Sequence, residues 1–218
     1  MHVVLLGDSI FDNAAYTRGD PDVVSHLRAM IPAPWRATLL AVDGATTGGI
    51  GAQMRRVPAD ASHLVLSVGG NDALGNIDLL SMPVRSTAEA LAIFGRRVEA
   101  FETAYRDALG GVVAHGLPVI VCTVYNGALP DPAEAARARM ALTLFNDAIV
   151  RAAFERQVPI IDLRSVCSEP ADYANPIEPS GAGGAKIARA VGRAAGALPD
   201  AEPALYMPHG WRQSPTLR

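Results

Sequence analysis

The sequence predicts an α/β protein, a three-layer α/β/α sandwich around a five-stranded parallel sheet, and three observations predict it. Five short apolar runs rich in Val, Ile and Leu recur along the chain. Segments with helical periodicity and clear start signals separate them. Strand and helix therefore alternate, which forces parallel strands joined by right-handed crossovers.

The runs are Val3 to Leu6, Ala37 to Val42, Leu64 to Val68, Val119 to Thr123 and Pro159 to Leu163. They lack polar alternation, as strands covered on both faces do. Asp20-Pro21 reads as a capping aspartate followed by proline at the first helical position, predicting a helix through about Met30. Ser86-Thr87-Ala88-Glu89 reads as a capping box opening a long helix towards Ala114, and Asp131-Pro132-Ala133-Glu134 opens another to about Arg156. Ser180 is the expected cap of a last helix, Gly181 to Ala195. A single domain is expected over residues 1–197, long enough to bury a core without disulfides or metals. The tail, 198–218, contains Pro199, Pro203, Pro208 and Pro215 and is expected to run as an irregular surface arm.

With 19 Lys and Arg against 22 Asp and Glu, and no clustering of the basic residues, the chain has no electrostatic footprint of a nucleic-acid binder. A small uncharged or modestly polar ligand fits better. The two cysteines, Cys122 in an apolar run and Cys167 in a loop, show no zinc or redox spacing and read as free thiols in a reducing compartment. Met1-His2 leads straight into the first strand with no secretory leader, and no apolar stretch approaches the ~20 residues that cross a bilayer. A soluble, cytoplasmic protein is the expectation, with the oligomeric state left open.

In a parallel sheet the strand C-termini share one edge, so residues just beyond each run become neighbours. After the first run come Gly7-Asp8-Ser9; after the second, Asp43-Gly44-Ala45-Thr46-Thr47-Gly48-Gly49; after the third, Gly69-Gly70-Asn71-Asp72. Ser9 is a candidate nucleophile. The N–H groups of Ser9 and Gly44 and the side-chain amide of Asn71 are candidate donors to a developing oxyanion. Each has a plainer reading: Gly-Asp-Ser as a turn, Asn71 as an amide tying two loops, Asp8 as a structural carboxylate accepting backbone N–H bonds. Asp12, Asn13, Tyr125 and Asn126 also fall beyond strand C-termini and are expected to line a pocket, with packing as the alternative for the tyrosine. The apolar stretch Ala73 to Val84 is either a lid or acyl pocket or a segment packed on the body.

These blocks, in this order and after successive strands, resemble the SGNH, or GDSL-type, hydrolases, a family of esterases, lipases and acyl hydrolases on a flavodoxin-like sandwich. The resemblance runs to about residue 195. Gly7-Asp8-Ser9 resembles the family's nucleophile block, Gly44 its oxyanion glycine and Gly69-Gly70-Asn71-Asp72 its asparagine block. The family's remaining element is an aspartate and a histidine three residues apart before the last helix. Here that context reads Asn175-Pro176-Ile177-Glu178-Pro179-Ser180, so Asn175 stands in place of the aspartate and Glu178 in place of the histidine.

No histidine elsewhere is an obvious substitute. His2, His63 and His115 each precede a strand and so lie at the opposite sheet edge, roughly 15 Å or more from Ser9. His26 falls within the first helix and is expected to face solvent; only His209, in the arm, is free to fold back. Glu178 is then either the serine's base, its pKa raised by burial among Pro176, Ile177 and Pro179, or simply an acid that favours the N-terminus of the last helix. The resemblance implies an esterase that cleaves a small carboxylic ester through an acyl-enzyme on Ser9, without metal or organic cofactor. The alternatives are a catalytically silent homologue binding a small acyl or glycan-like ligand, or a protein with a vestigial pocket whose surface mediates assembly.

Overall fold

A computed structural model describes residues 1–199. The apolar runs become β1 (His2–Gly7), β2 (Arg36–Leu39), β3 (His63–Ser67), β4 (Val119–Cys122) and β5 (Ile160–Ile161), all parallel in the order β2-β1-β3-β4-β5. Successive side chains of a strand point to opposite faces, so each apolar run feeds two cores. Val3 and Leu5 of β1 face helices α1 (Val23–Met30) and α7 (Gly181–Ala194), packing with Leu27, Ile187 and Val191. Val4 and Leu6 face α4 (Thr87–Val113) and α5 (Pro132–Glu155), packing with Phe101, Tyr105, Leu109 and Ile149. Each of these leucines is fully buried, worth about 1.5–3 kcal/mol of transfer free energy apiece.

The chain winds outward from β1 to β2, then returns to place β3 on the other side of β1. At such a reversal the loops leaving the two strands diverge and open a crevice beyond their C-termini. The loop carrying Ser9 leaves β1 and the short helix α3 (Gly70–Leu74) leaves β3, so both leave the sheet at this reversal.

Several elements end earlier than the apolar patterning suggests. Regular pairing of β2 stops at Leu39 because Leu40 and Ala41 both donate to the Leu5 carbonyl, a bulge that turns the strand before Val42 N–H rejoins Gly7 O. β5 is cut short by Asp162, whose carboxylate accepts from Arg164 N–H and starts the four-residue helix α6 (Leu163–Val166). The cap of α1 is Asp22, bonded to Ser25 N–H at 2.8 Å; Asp20 instead closes the preceding turn, exchanging bonds with Thr17. Ser86 caps α4 through Glu89 N–H as expected, but the Glu89 carboxylate takes Arg85 N–H, so the box is only half formed. Asp131 and Ser180 cap α5 and α7 as the sequence indicates. His26 is half-buried rather than solvent-facing, and its Nε2 is enclosed without a partner among the described residues. His209 and all but the first two residues of the proline-rich arm lie outside the described residues.

Two buried carboxamides stand in for missing strand neighbours. Gln53, on helix α2 (Ile50–Met54), accepts from Gly7 N–H at 2.8 Å and donates to Gly7 O at 2.7 Å, while Asn146 on α5 does the same for Val124, both at 2.8 Å. Backbone polar groups beyond the ladder are thus satisfied where the chain leaves the sheet. Gly7 is confined to glycine on two counts: φ is +132°, and a Cβ there would lie 1.7 Å from Ser67 O.

Candidate active site

Beyond Gly7 the chain turns sharply, with Phe11 and Asp12 N–H both donating to Asp8 O. The turn holds Ser9 with only 8 % of its surface exposed. Its hydroxyl donates to Glu178 Oε1 at 3.1 Å. Nucleophile candidate and base candidate are therefore in direct contact, although 169 positions separate them. Glu178 is 6 % exposed and its Oε2 has no partner among the described residues. Burial raises its pKa; the Ser9 hydrogen bond works against this, and the Asp43 carboxylate adds to it.

The other loops are tied to this pair by side chains. Asp12 accepts from Asp43 N–H at 2.9 Å and Tyr16 donates to Asp43 Oδ2 at 2.7 Å, fastening the loop after β2 to the loop after β1. Asp72 takes both the N–H and the hydroxyl of Thr47, fastening that same loop to α3. Gly44, exposed and at φ +76°, occupies the left-handed region a β-carbon would strain. Among the described residues, neither Ser9 N–H nor Gly44 N–H has an acceptor. Asn71 donates one amide hydrogen to Ala45 O at 3.0 Å, which makes it a loop tie and leaves its second hydrogen available as a donor.

Negative charge dominates these loops. Asp8, 2 % exposed, is pushed up to about 7 by burial, with Glu178 and Asp72 adding repulsion against the Ile10 N–H bond that favours its charged form. Tyr16 is pushed up to about 12, chiefly by its bond to Asp43 and then by burial. Among the described residues no group of three or more His, Cys, Asp and Glu is arranged to hold a metal ion.

The expected pocket residues divide. Asn126 is half-buried beyond β4, and Asp12 ties two loops as above. Asn13 and Tyr125 are both buried, and both reach the loop that carries Glu178, Asn13 through Pro179 O and Tyr125 through Ile177 O. Asn175 does not touch the Glu178 carboxylate; its Oδ1 accepts from the N–H groups of Ile177 and Glu178, an Asx turn that shapes the backbone. The stretch from Ala73 to Val84 is mixed, with Leu79 buried and Leu74, Ile77 and Val84 exposed. Sequence reasoning missed Tyr16, which lies mid-loop and carries no signal of its own, and the inward roles of Gln53 and Asn146. No helix among the described residues is long and apolar enough to cross a membrane.

Solved structures share this architecture. An extracellular lipase from Streptomyces rimosus aligns over 89 % of this chain and 99 % of its own, at 18 % identity and a TM-score of 0.63. A phospholipase A1 from Streptomyces albidoflavus NA297 covers 88 % and 98 %, at 18 % identity and 0.65. An acetyl-xylooligosaccharide esterase from Geobacillus stearmophilus covers 89 % and 94 %, at 19 % identity and 0.63. At such identities the likeness concerns the fold. No curated protein sequence matches the chain. The profile of one family does match, over residues 5–186, from within β1 into the first half of α7 and across all the loops described above. The chain belongs to the GDSL-like lipase/acylhydrolase family.

Proposed function

We propose that this protein is a serine esterase that cleaves small carboxylic esters through an acyl-enzyme on Ser9, with Glu178 as the base in place of histidine. The hydrogen bond from Ser9 Oγ to Glu178 Oε1 carries the reading, because a general base must lie within hydrogen-bond reach of the proton it removes. Glu178 takes the Ser9 proton as Oγ attacks the ester carbonyl. Ser9 N–H, Gly44 N–H and the second Asn71 amide hydrogen receive the charge that develops on the carbonyl oxygen. The tetrahedral adduct collapses, the alcohol leaves with the proton held by Glu178, and the acyl group remains on Ser9. Water, deprotonated by Glu178 in turn, releases the acid and restores the hydroxyl.

An aspartate-histidine pair normally supplies a base with a pKa near neutrality, and a carboxylate is intrinsically weaker. Burial partly corrects this by raising Glu178 towards the working pH. The surrounding carboxylates favour neutral esters over anionic ones, and a cytoplasmic setting with no metal, organic cofactor or nucleic acid involved completes the reading. The test is covalent labelling with a fluorophosphonate, read by intact mass. A single adduct is expected on the wild type and none on Ser9→Ala; an unlabelled wild type would leave instead a silent protein that binds a small acyl or glycan-like ligand.

A further inference from the structure

We propose that Asn13 and Tyr125 are positioning residues, a two-sided bracket that fixes the backbone around Glu178 and so holds its carboxylate on Ser9. The proposal rests on Glu178 serving as the base. Residues 175–177 are exposed, and a loop of that kind is ordinarily mobile. Yet its backbone polar groups are engaged one after another. In the peptide unit before Glu178, Tyr125 donates to Ile177 O at 2.7 Å and Glu178 N–H donates to Asn175 Oδ1 at 2.9 Å. In the unit after it, Glu178 O accepts from Ala174 N–H at 2.9 Å. Pro176 O accepts from Ala128 N–H at 2.8 Å, and Pro179 O accepts from Asn13 Nδ2 at 3.2 Å. With both flanking peptide planes held, the direction of the Glu178 Cα–Cβ bond is set.

Two of these bonds come from buried side chains on other parts of the sheet edge, and their origins matter. Tyr125 follows β4, is 4 % exposed, and stands edge-on to Tyr173 with ring centroids 5.1 Å apart. Asn13 follows Ser9 by four residues, is fully buried, and spends its other end on Val23 N–H at the start of α1. The loop carrying the nucleophile thus grips the loop carrying the base, and Tyr125, from the loop after β4, holds the carbonyl on the other side of Glu178 in sequence. A purely local loop could satisfy its own carbonyls; this one is secured by distant residues on either side of the side chain that accepts from Ser9. Displacement of a reacting group by about 1 Å can cost on the order of 10²-fold in rate, so such a bracket has a kinetic consequence.

The charged and titratable groups facing Glu178 are Asp8 and Tyr16 from the loop after β1, Asp43 from the loop after β2 and Tyr125 itself. Neither Tyr125→Phe nor Asn13→Ala adds a charge to this set. Tyr125→Phe deletes only the bond to Ile177 O. With a neutral nitrophenyl ester, kcat is expected to fall roughly tenfold with KM unchanged. A loosened loop also lets water reach Glu178, so its carboxyl, followed by carbon NMR of glutamate-labelled protein and assigned with Glu178→Gln, is expected to titrate at lower pH than in the wild type. Tyr105→Phe, the same deletion in the opposite layer, should leave both readouts unmoved. If Tyr125→Phe fails to fold, Asn13→Ala, which removes the donor to Pro179 O without adding charge, is expected to give the same pair of changes. Wild-type kcat with an unmoved Glu178 titration overturns the bracket, as does a loss of kcat without any movement of that titration. A wild type that neither labels nor hydrolyses, but whose Glu178 titration moves in Tyr125→Phe, upholds the bracket and defeats the hydrolase reading.

Discussion

Ser9 Oγ donates to Glu178 Oε1 at 3.1 Å, joining the loop after β1 to the loop before α7. The bond runs from hydroxyl to carboxylate with no imidazole between. Two consequences follow. On the proposed reading the acceptor is the base itself, so proton transfer is a single step. It also sits in a buried, acid-rich setting that opposes its ionisation, and protonated Glu178 cannot accept the serine proton.

The first prediction concerns pH. A base works when deprotonated, so kcat/KM for a neutral ester should rise with pH along a limb set by Glu178 and then level off. Because burial raises that pKa, the limb should lie above the ordinary glutamate value of about 4.3. Glu178→Gln keeps the size and a carbonyl acceptor for Ser9 but cannot take a proton. It should lower kcat by on the order of 10²–10⁴-fold and abolish that limb. A stopped assay across pH 4 to 9 on the two proteins checks both.

The second prediction restores the pair that the family ordinarily carries. Asn175 Oδ1 already accepts from two N–H groups, and an aspartate oxygen would accept the same bonds, so Asn175→Asp should preserve the turn. Combined with Glu178→His it places an imidazole where a carboxylate now meets Ser9. Ester hydrolysis should rise by at least tenfold over wild type, with the acid limb moving to about 6.5. An unchanged rate would mean that the oxyanion donors are themselves incompetent.

Much of this was legible in the sequence, for reasons that differ residue by residue. β1 and β3 are unbroken apolar runs buried on both faces, and the parallel order places whatever follows them at one edge; hence Ser9, Gly44 and Asn71 fall on adjoining loops. Glu178 was legible only through its place in a recognisable context. The role of Tyr125 was not, because nothing in a tyrosine after a strand says whether its hydroxyl faces a ligand or a distant carbonyl. Asp20 and Asp22 differ by two positions and both can cap; the choice fell to tertiary packing, where Asp20 is held by Thr17. β5 shrank to two residues because Asp162 found backbone donors that an apolar pattern does not report.

The third prediction links Asp8 to stability. Its carboxyl is pushed up to about 7 in the fold against an ordinary value near 3.8. Between those values the folded protein binds the proton and the unfolded chain does not, so stability falls as pH rises. The full effect is on the order of 4 kcal/mol. Asp8→Asn keeps an oxygen for Ile10 N–H and removes the titration. Urea unfolding at pH 5 and pH 8 should show a loss for the wild type that is much smaller for Asp8→Asn.

The fourth prediction lies away from the site. Tyr105 is fully buried between α4 and the sheet, beside Phe101 with ring centroids 5.8 Å apart, and its hydroxyl has no partner among the described residues. Burial of an unpaired hydroxyl costs about 1–3 kcal/mol, whereas the ring itself contributes apolar contact. Tyr105→Phe deletes the costly group and leaves the ring, at the expense of a void smaller than a methyl group. The balance favours the variant by about 1 kcal/mol, which for a chain of this length raises Tm by about 2–4 °C. Differential scanning calorimetry at one fixed pH decides it: a lowered Tm would mean that the hydroxyl has found a partner, such as a buried water.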